Sequence, residues 1–382
     1  MGGHTRRWVL GAGAGVITGS GLAAWWLTAD TPDAWDQSIP FLTDASVFYN
    51  KWDAKKKDPA FWITAVTRPD VNVVDWRGDG EPFTMRIDGD AARGSVTVTR
   101  EDVLRSAATR GSVALLKTMR CSGDRPGIRL ASNAVWTGVP LRRFLDPQVT
   151  RAAKRLRIRA PDGFSAGLSL DALDTEDGRT VLLAFQLNGE FIPHARGGPV
   201  RLIVPDRFGF KNVKWPRHIE ITSDDVPFGN HEVDTRAGTD DGHVTMGSKL
   251  LSPDLGATNP VAVTSLRPLV LRGVAFGGRE AVEKVQVRFG GGDQPWRKAQ
   301  IPRPKELELH HEVQRAWRDR GRLWPLPDVW TPWLYRWTPP GPGDYTVSVK
   351  ATTESGAAQP EVDTTHIDAL SHWATGTIRV TS

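Results

Sequence analysis

Val113-Ala-Leu-Leu-Lys-Thr-Met-Arg-Cys-Ser-Gly-Asp-Arg-Pro-Gly127 is a short apolar run that leads into a loop of turn-forming residues. Such a run, bounded by Gly and Pro, is typical of a buried strand. The same pattern recurs outward from this stretch, at residues 83–87, 95–98, 156–159, 181–185 and 200–204. Short helices are predicted at 100–107, 140–145 and 169–173. The first part of the chain is therefore predicted to be an α+β domain of mostly β content.

The sequence pattern changes after residue 259, where stretches of alternating apolar and polar residues, typical of strands, dominate. Examples are Pro268-Leu-Val-Leu-Arg-Gly273, Val285-Gln-Val-Arg-Phe289 and Asp344-Tyr-Thr-Val-Ser-Val-Lys-Ala351. Spaced short strands of this kind predict an antiparallel β-sandwich of the immunoglobulin-like type. Domain bounds of 29–245 and 246–382 follow. Residues 224–258 are polar and rich in turns, which favours a linker, and residues 310–328 interrupt the β pattern as an insertion.

Length and composition exclude several classes of protein. The chain has 382 residues, of which 39% are hydrophobic and 24% charged, enough for two soluble domains. A net charge of +5 is too mild to argue for nucleic acid. One cysteine excludes an internal disulfide and cysteine-rich zinc or iron–sulfur sites, and no CxxCH motif attaches a haem.

The N-terminus has the features of an export address. Thr5-Arg-Arg-Trp-Val-Leu10 precedes a Gly- and Ala-rich run that ends at Leu27, a pattern that resembles a twin-arginine signal. The uncharged stretch from Trp8 to Leu27 is also long enough to span a bilayer. Residues 1–28 are therefore predicted to be either a twin-arginine signal or a retained N-terminal membrane anchor. Both place the remainder in the periplasm or another extracytoplasmic space.

Cys121 is the chain's one candidate for metal or nucleophilic chemistry through sulfur. A lone cysteine is often a small buried hydrophobe. Arg120 and Arg125 flank this one, however, and a positive environment favours the thiolate. A thiolate is the soft, charged donor that a high-valent or sulfur-ligated metal requires. Cys121, Arg120 and Arg125 are therefore the candidate catalytic residues, and a structural buried thiol stays the alternative at this point.

A second candidate site is a run of basic residues. Within about twenty residues the chain places Arg196, Arg201, Lys211, Lys214 and Arg217. Strand periodicity puts some of them on one face, and the Gly-Gly pair at 197–198 allows close approach of a ligand. A phosphorylated ligand and a solvated sheet edge both remain compatible with this pattern.

Two other motifs carry weaker signals. Gly163-Phe-Ser-Ala-Gly167 matches the GxSxG pattern of serine hydrolases, with Ser165 as the nucleophile, but the sustained helix that a nucleophile elbow needs does not follow. The nine histidines show no spacing typical of a metal site. A serine hydrolase and a non-catalytic binding protein therefore stand as alternatives from other classes.

Taken in order, several segments resemble the sulfite oxidase family of molybdopterin-dependent oxidoreductases. The Cys121 loop resembles the family's Cys-x-Gly-Asn-Arg motif. The other marks, in chain order, are Ile39-Pro-Phe-Leu-Thr43, Phe48-Tyr-Asn50, Asn133-Ala-Val-Trp-Thr-Gly-Val-Pro-Leu141, Leu183-Ala-Phe-Gln-Leu-Asn-Gly-Glu190 and Val287-Arg-Phe-Gly-Gly-Gly-Asp-Gln-Pro-Trp-Arg-Lys-Ala299. The resemblance implies a sulfite-oxidase-type molybdopterin-binding domain followed by the family's dimerisation domain.

The resemblance also implies a cofactor and its ligands. The cofactor would be a molybdenum–molybdopterin, the Mo-molybdopterin of the family, with Cys121 as the protein ligand to the metal. The residues that fall where the family holds the pterin and its phosphate are Tyr49, Asn50, Asp162, Arg196, Arg201, Asn212 and Lys214. Arg196 stands where many members have His, and His194 is the nearby substitute.

The reaction implied is a two-electron oxygen-atom transfer on a small sulfur-containing or other oxo substrate, with an external haem or cytochrome as electron partner. The dimerisation domain implies a homodimer, although some exported members are monomers. Three departures weaken sulfite oxidation: Phe185 replaces a tyrosine, Pro126 an arginine and Asp124 an asparagine. An arginine next to the thiol, as Arg120 is here, resembles the periplasmic methionine-sulfoxide-reducing branch of the family. An enzyme of that branch is therefore the alternative within the family.

Overall fold

A computed structural model describes residues 82–124, 130–229, 242–253, 261–264, 268–302, 324–364 and 371–381. Its strands are β1 (Thr84–Asp88), β2 (Val96–Thr99), β3 (Val113–Arg120), β4 (Ala131–Pro140), β5 (Arg155–Arg159), β6 (Ser165–Ser169), β7 (Leu182–Leu187), β8 (Glu190–Phe191), β9 (Arg201–Ile203), β10 (His218–Thr222), β11 (Gly247–Ser252), β12 (Val261–Thr264), β13 (Leu269–Phe276), β14 (Val282–Phe289), β15 (Arg297–Lys298), β16 (Thr331–Trp337), β17 (Gly343–Thr353) and β18 (Ala374–Thr381).

The helices are α1 (Arg100–Arg110) and α2 (Arg142–Leu145), with 3₁₀ turns at Leu170–Leu173, His194–Arg196 and Gly209–Lys211. The predicted mostly-β pattern with few helices is confirmed. Within the described ranges, no helix combines the length and the apolar character needed to cross a membrane. The predicted signal or anchor at 1–28 and most of the 310–328 insertion lie outside the described residues.

Strands β1 to β10 form two sheets around a shared core. One sheet has the order β2-β1-β10-β5-β6, and the other has the order β3-β4-β7-β8 with β9 also paired to β7. Alternation along β1 and β5 of the first sheet buries one face, because successive side chains point to opposite sides. Ile87, Ile158 and Ile219 of the first sheet thus meet Val139 and Leu183 of the second. This set of strands is called the β1–β10 unit below.

Strands β11 to β18 form two further sheets, with orders β11-β13-β16 and β12-β18-β17-β14-β15. Leu271 and Trp333 of the smaller sheet pack with Val285, Val347 and Ile378 of the larger one in a single core. We call this the β11–β18 unit.

Two details of the β11–β18 unit correct the sequence predictions. Residues 247–252 were expected in a linker but form β11, which pairs with β13. The expectation of purely antiparallel pairing is wrong for β12, which lies parallel to β18. Both features depend on partners distant in sequence, and neither has a local signature.

The two units contact each other through a separate apolar cluster behind β3. Ala114 and Leu116 of β3 pack there with Val274 and Phe276 of β13 and with Trp330. Leu115 and Met119, on the opposite face of β3, join a different cluster within the β1–β10 unit. The strand that leads to Cys121 is therefore buried on both faces.

Helix α1 begins with a capping box whose strength depends on pH. The side chain of Thr99 accepts from the backbone N–H of Asp102, and Asp102 in turn accepts from the Thr99 backbone at 2.9 Å. The backbone hydrogen bond from Thr99 is the largest reason that the pKa of Asp102 lies below its ordinary value of 3.8.

A carboxylate with a lowered pKa stabilises the fold above its unfolded pKa, and that stabilisation is lost as the pH falls through the folded pKa. We expect Asp102→Ala to lower the unfolding midpoint at pH 7, and the difference from the wild type to shrink below about pH 4. Thermal unfolding followed by circular dichroism across pH 3–7 measures this. A constant difference across that range would contradict the assignment of the effect to the charged carboxylate.

Candidate active site around Cys121

Cys121 follows the last residue of β3 and is buried, with 7% of its surface exposed. Its backbone N–H donates to the carbonyl of Leu130 at 3.0 Å, and its carbonyl accepts from the N–H of Asp124 at 3.1 Å. The N–H of Leu130 donates to Asp124 Oδ1 at 2.9 Å. These bonds close the loop between the ends of β3 and β4, so the thiol has a fixed backbone.

Arg120 lies on the opposite face of β3 from Met119, because side chains alternate along a strand. Its Nε donates to Asp124 Oδ2 at 3.0 Å, and Nη1 donates to the carbonyl of Thr245 at 2.8 Å. The guanidinium also lies over the ring of Phe276, 4.9 Å from its centroid. Arg120 thus contacts the β11–β18 unit, and its catalytic role stays a prediction. Arg125 lies outside the described residues.

Arg201 links the basic run to the strand that leads to the cysteine. Its Nη1 donates to the carbonyl of Arg196 at 2.8 Å and its Nε to the carbonyl of Asn212 at 3.1 Å. Its Nη2 lies 3.7 Å from the sulfur of Met119, two residues before Cys121. The guanidinium also lies over Trp136 at 5.3 Å. Arg201 is therefore held beside β3 by neighbours that only the fold supplies.

The remaining members of the basic run separate into buried and surface positions. Arg196, Arg201, Lys211 and Lys214 are all buried, so the solvated sheet edge considered from the sequence is wrong for them. Lys211 Nζ donates to the carbonyl of Gly167 at 2.7 Å. Arg217, by contrast, donates to the backbone of β1 at the surface.

Gly197 provides the close approach that the Gly-Gly pair predicted. Its φ of 101° lies in the left-handed region, which favours glycine. A Cβ there would stand 2.9 Å from both Arg201 Cδ and Lys214 Cγ. The glycine therefore lets the 3₁₀ turn that carries Arg196 fold directly against these two cationic side chains.

Asn212 and Asp162 have defined local contacts. Asn212 Oδ1 accepts from the N–H of Val204 at 2.9 Å, and its Nδ2 donates to the carbonyl of Phe208 at 2.8 Å. Asp162 lies in the turn between β5 and β6 and accepts from the N–H of Phe164. The predicted cofactor roles of both residues stay predictions. Tyr49 and Asn50 lie outside the described residues.

The side chains present fit a sulfur-ligated metal carried by an anionic organic group. Cys121 offers a soft donor. The neighbouring Ser122 Oγ is buried without a hydrogen-bond partner among the described residues, and such an atom normally has one. The buried cations Arg196, Arg201, Lys211 and Lys214 make this region positively charged, which favours an anionic ligand.

A buried charge network behind β3 was missed from the sequence. Lys117 and Asp328 form an ion pair with Nζ 3.0 Å from Oδ2, at side-chain exposures of 0% and 1%. Arg179 donates to both oxygens of Asp206, at 2.6 and 3.0 Å. The N–H of Asp206 donates to Asp328 Oδ2 at 2.9 Å. The four charges join β3 to the segment that precedes β16.

Burial determines the protonation preferences within this network. Burial lowers the pKa of Lys117, although Asp328 opposes the effect, and burial raises the pKa of Asp328. Burial also acts to lower the pKa of Arg179, but the carboxylates of Asp206 and Asp328 outweigh it and hold this pKa above its ordinary value. The sequence pattern of β3 gave no sign that the lysine at position 117 would be fully buried.

The serine hydrolase alternative has no supporting geometry. Ser165 is the first residue of β6, which pairs with β5, and a four-residue 3₁₀ turn follows this strand. A nucleophile elbow instead needs a sharp turn that leads directly into a helix. The interpretation of Ser165 as a nucleophile is therefore wrong.

Comparison with known proteins identifies the class of domain. Residues 71–228 match the model of the oxidoreductase molybdopterin binding domain. NADH nitrate reductases are similar in sequence. The enzyme called nitrate reductase 2 of Phaseolus vulgaris is 27% identical over 207 residues, 46% of this chain and 23% of its own. The nitrate reductase of Spinacia oleracea is 28% identical over 208 residues, which cover 46% of this chain and 22% of that enzyme. This chain thus spans less than a quarter of either relative.

The fold is similar to that of the sulfane dehydrogenase SoxCD from Paracoccus pantotrophus, with a TM-score of 0.58, 20% identity and 78% of each chain covered. The architecture is thus that of a molybdopterin-binding oxidoreductase fold. Residues 71–228 thus form a molybdopterin binding domain, and the comparisons support a sulfite-oxidase-type molybdopterin oxidoreductase with Mo-molybdopterin as its cofactor.

Proposed function

We propose that the protein is an exported oxidoreductase that transfers an oxygen atom to or from a sulfur oxyanion or a sulfoxide. The observation that carries the proposal is the buried Cys121, whose backbone is bonded to Leu130 and Asp124 and whose strand contacts the buried Arg201 through Met119. The family resemblance supports a redox role for this site.

When bound, the molybdenum cofactor supplies the two-electron oxygen-atom chemistry. The chain supplies position and charge. Cys121 would hold the metal as a thiolate, and the backbone bonds around it fix the direction of the sulfur. Arg201 and Lys214 would bind the anionic tail of the cofactor, since guanidinium and ammonium groups pair with phosphate. Cys121 is buried, so its sulfur would be shielded from water.

The substrate class is argued from two positions that the family resemblance assigns to the site. Phe185, where sulfite-oxidising members are expected to have tyrosine, is buried and has no hydroxyl to donate. Arg120, which precedes the cysteine, donates to the carboxylate of Asp124. This chain thus offers a dianion fewer cations and hydrogen-bond donors than sulfite-oxidising members are expected to offer. A neutral sulfoxide fits such a site better, so methionine-sulfoxide-like compounds are the preferred substrates.

The test is direct. The full chain is produced in a host that makes the cofactor, and molybdenum and pterin are measured in the purified protein. Reduction of a sulfoxide with a reduced viologen dye, and oxidation of sulfite with ferricyanide, are then compared. Absence of molybdenum and pterin would overturn the proposal. Metal with sulfite activity alone would overturn the choice of sulfoxide.

We also propose the setting in which the enzyme works. The paired arginines at 6 and 7 support export by the twin-arginine route. The family resemblance supports a haem or cytochrome as the electron partner. The β11–β18 unit is proposed to be an immunoglobulin-like dimerisation domain, with the domain boundary near residues 245–246. Light scattering of the purified protein distinguishes a homodimer from a monomer.

Removal of a buried cation should weaken cofactor retention. We expect Arg201→Met to lower molybdopterin content roughly tenfold or more, because a charge-assisted hydrogen bond contributes about 1.5–3 kcal/mol. The measurement is pterin per protein after dialysis. Arg217→Met is the matched control from the same basic run, since Arg217 bonds to the backbone of β1 at the surface. Equal pterin loss in both variants would contradict the assignment of Arg201.

A further inference from the structure

Lys249 of β11 extends from the β11–β18 unit to the loop that holds Cys121. Its Nζ lies 2.6 Å from Oδ1 of Asp124, and the two side chains are 6% and 0% exposed. A charge-assisted bond this short and this buried is among the stronger interactions available to a side chain. The position falls in the segment that the sequence favoured as a linker.

Asp124 is the centre of this contact. Its carboxylate accepts from Lys249, from Nε of Arg120 at 3.0 Å and from the N–H of Leu130 at 2.9 Å. Arg120 precedes the cysteine and Leu130 ends its loop. One carboxylate therefore joins both ends of the Cys121 loop to a strand of the other unit.

The β11–β18 unit also holds Arg120 directly. The ring of Phe276 in β13 lies beneath its guanidinium, and the carbonyl of Thr245, two residues before β11, accepts from it at 2.8 Å. The backbone of Gly247 packs so closely that a Cβ there would stand 3.0 Å from Arg120 Nη2. No side chain larger than hydrogen fits at Gly247 without moving the guanidinium.

We propose that Lys249 and Asp124 are positioning residues, through which the β11–β18 unit fixes the place of the Cys121 sulfur. Lys249, Asp124 and Arg120 form an ion triad that fixes the backbone on the C-terminal side of Cys121. The inference deepens the proposed function and rests on it for the role of the thiol. It does not require the cofactor to be present, because all the contacts lie within the chain.

The test uses the reactivity of the thiol in protein produced without molybdenum. Cys121 is the chain's only cysteine, so the rate of reaction with Ellman's reagent reports this site alone. We expect Lys249→Met to raise the rate about tenfold, because a buried thiol reacts through local opening of its loop. Lys249→Arg, which keeps the charge, should stay within about threefold of the wild type.

Two further variants complete the experiment. Gly247→Ala should raise the rate in the same direction by about threefold, since its Cβ displaces Arg120 without removing a charge. Lys298→Met, an exposed lysine of β15, is the control and should leave the rate unchanged. If Lys249→Met does not fold, Lys249→Gln and Gly247→Ala carry the test.

Rates for Lys249→Met, or for Lys249→Gln in its place, and Gly247→Ala within twofold of the wild type would overturn the inference. An equal rise for Lys298→Met would also overturn it. These outcomes are separate from failure of the proposed function, which appears as missing molybdenum in protein from a cofactor-competent host while the thiol rates remain readable.

Discussion

Replacing Cys121 by Ser is expected to abolish turnover while leaving the fold intact. A hydroxyl has nearly the size of a thiol, so the buried loop around position 121 needs little repacking. It is not a soft anionic donor at neutral pH, however, and a molybdenum site that needs a thiolate loses its protein ligand. We expect the rate with the preferred substrate to fall by about a thousandfold or more.

The measurements are steady-state turnover, molybdenum content and thermal unfolding, each compared with the wild type. Pterin content should fall less than activity, because Arg201 and its buried neighbours would still hold the anionic part of the cofactor. Ser165→Ala is the matched control. It removes a hydroxyl from the GxSxG segment and should leave turnover unchanged, since Ser165 begins a strand. Full activity in Cys121→Ser would contradict the site and favour a non-catalytic binding protein.

Local sequence patterns were sufficient to predict several of the strands and the first helix. The strand around residues 83–87 and the helix from residue 100 follow from alternation and from the Thr99 cap, both of which act within a few residues. Strand β11 was not predicted, because its polar flanks outweighed the short run at residues 247–252. It forms because β13 pairs with it. Distant pairing leaves no mark in a single sequence.

The candidate site divides in the same way. Cys121 and Arg201 were singled out as candidates because their residue types and neighbours are unusual in the sequence. The direction of Arg120 was not predictable, since it depends on which unit lies behind β3. Lys249, Lys117 and Asp328 were missed because each becomes significant only through a partner more than one hundred residues away.

Removal of Lys117 should be the most destabilising single change in the described part of the chain outside the apolar cores. Its Nζ donates to Asp328 Oδ1 at 3.1 Å, to Oδ2 at 3.0 Å and to the carbonyl of Arg207 at 3.0 Å. Lys117→Met keeps the length of the side chain but leaves Asp328 buried beside Asp206. Breaking such a pair costs about 3–5 kcal/mol of the free energy of unfolding.

Denaturant unfolding of the wild type, Lys117→Met and Lys117→Met/Asp328→Asn measures this cost. The double variant should recover part of the loss, because an amide can keep the bond from the Asp206 N–H without a buried charge. Arg105→Met is the control. It breaks the exposed pair with Asp102, which contributes at most about 1 kcal/mol. A loss for Lys117→Met no larger than that of Arg105→Met would mean that solvent reaches Asp328, and the buried network would not join β3 to the β11–β18 unit.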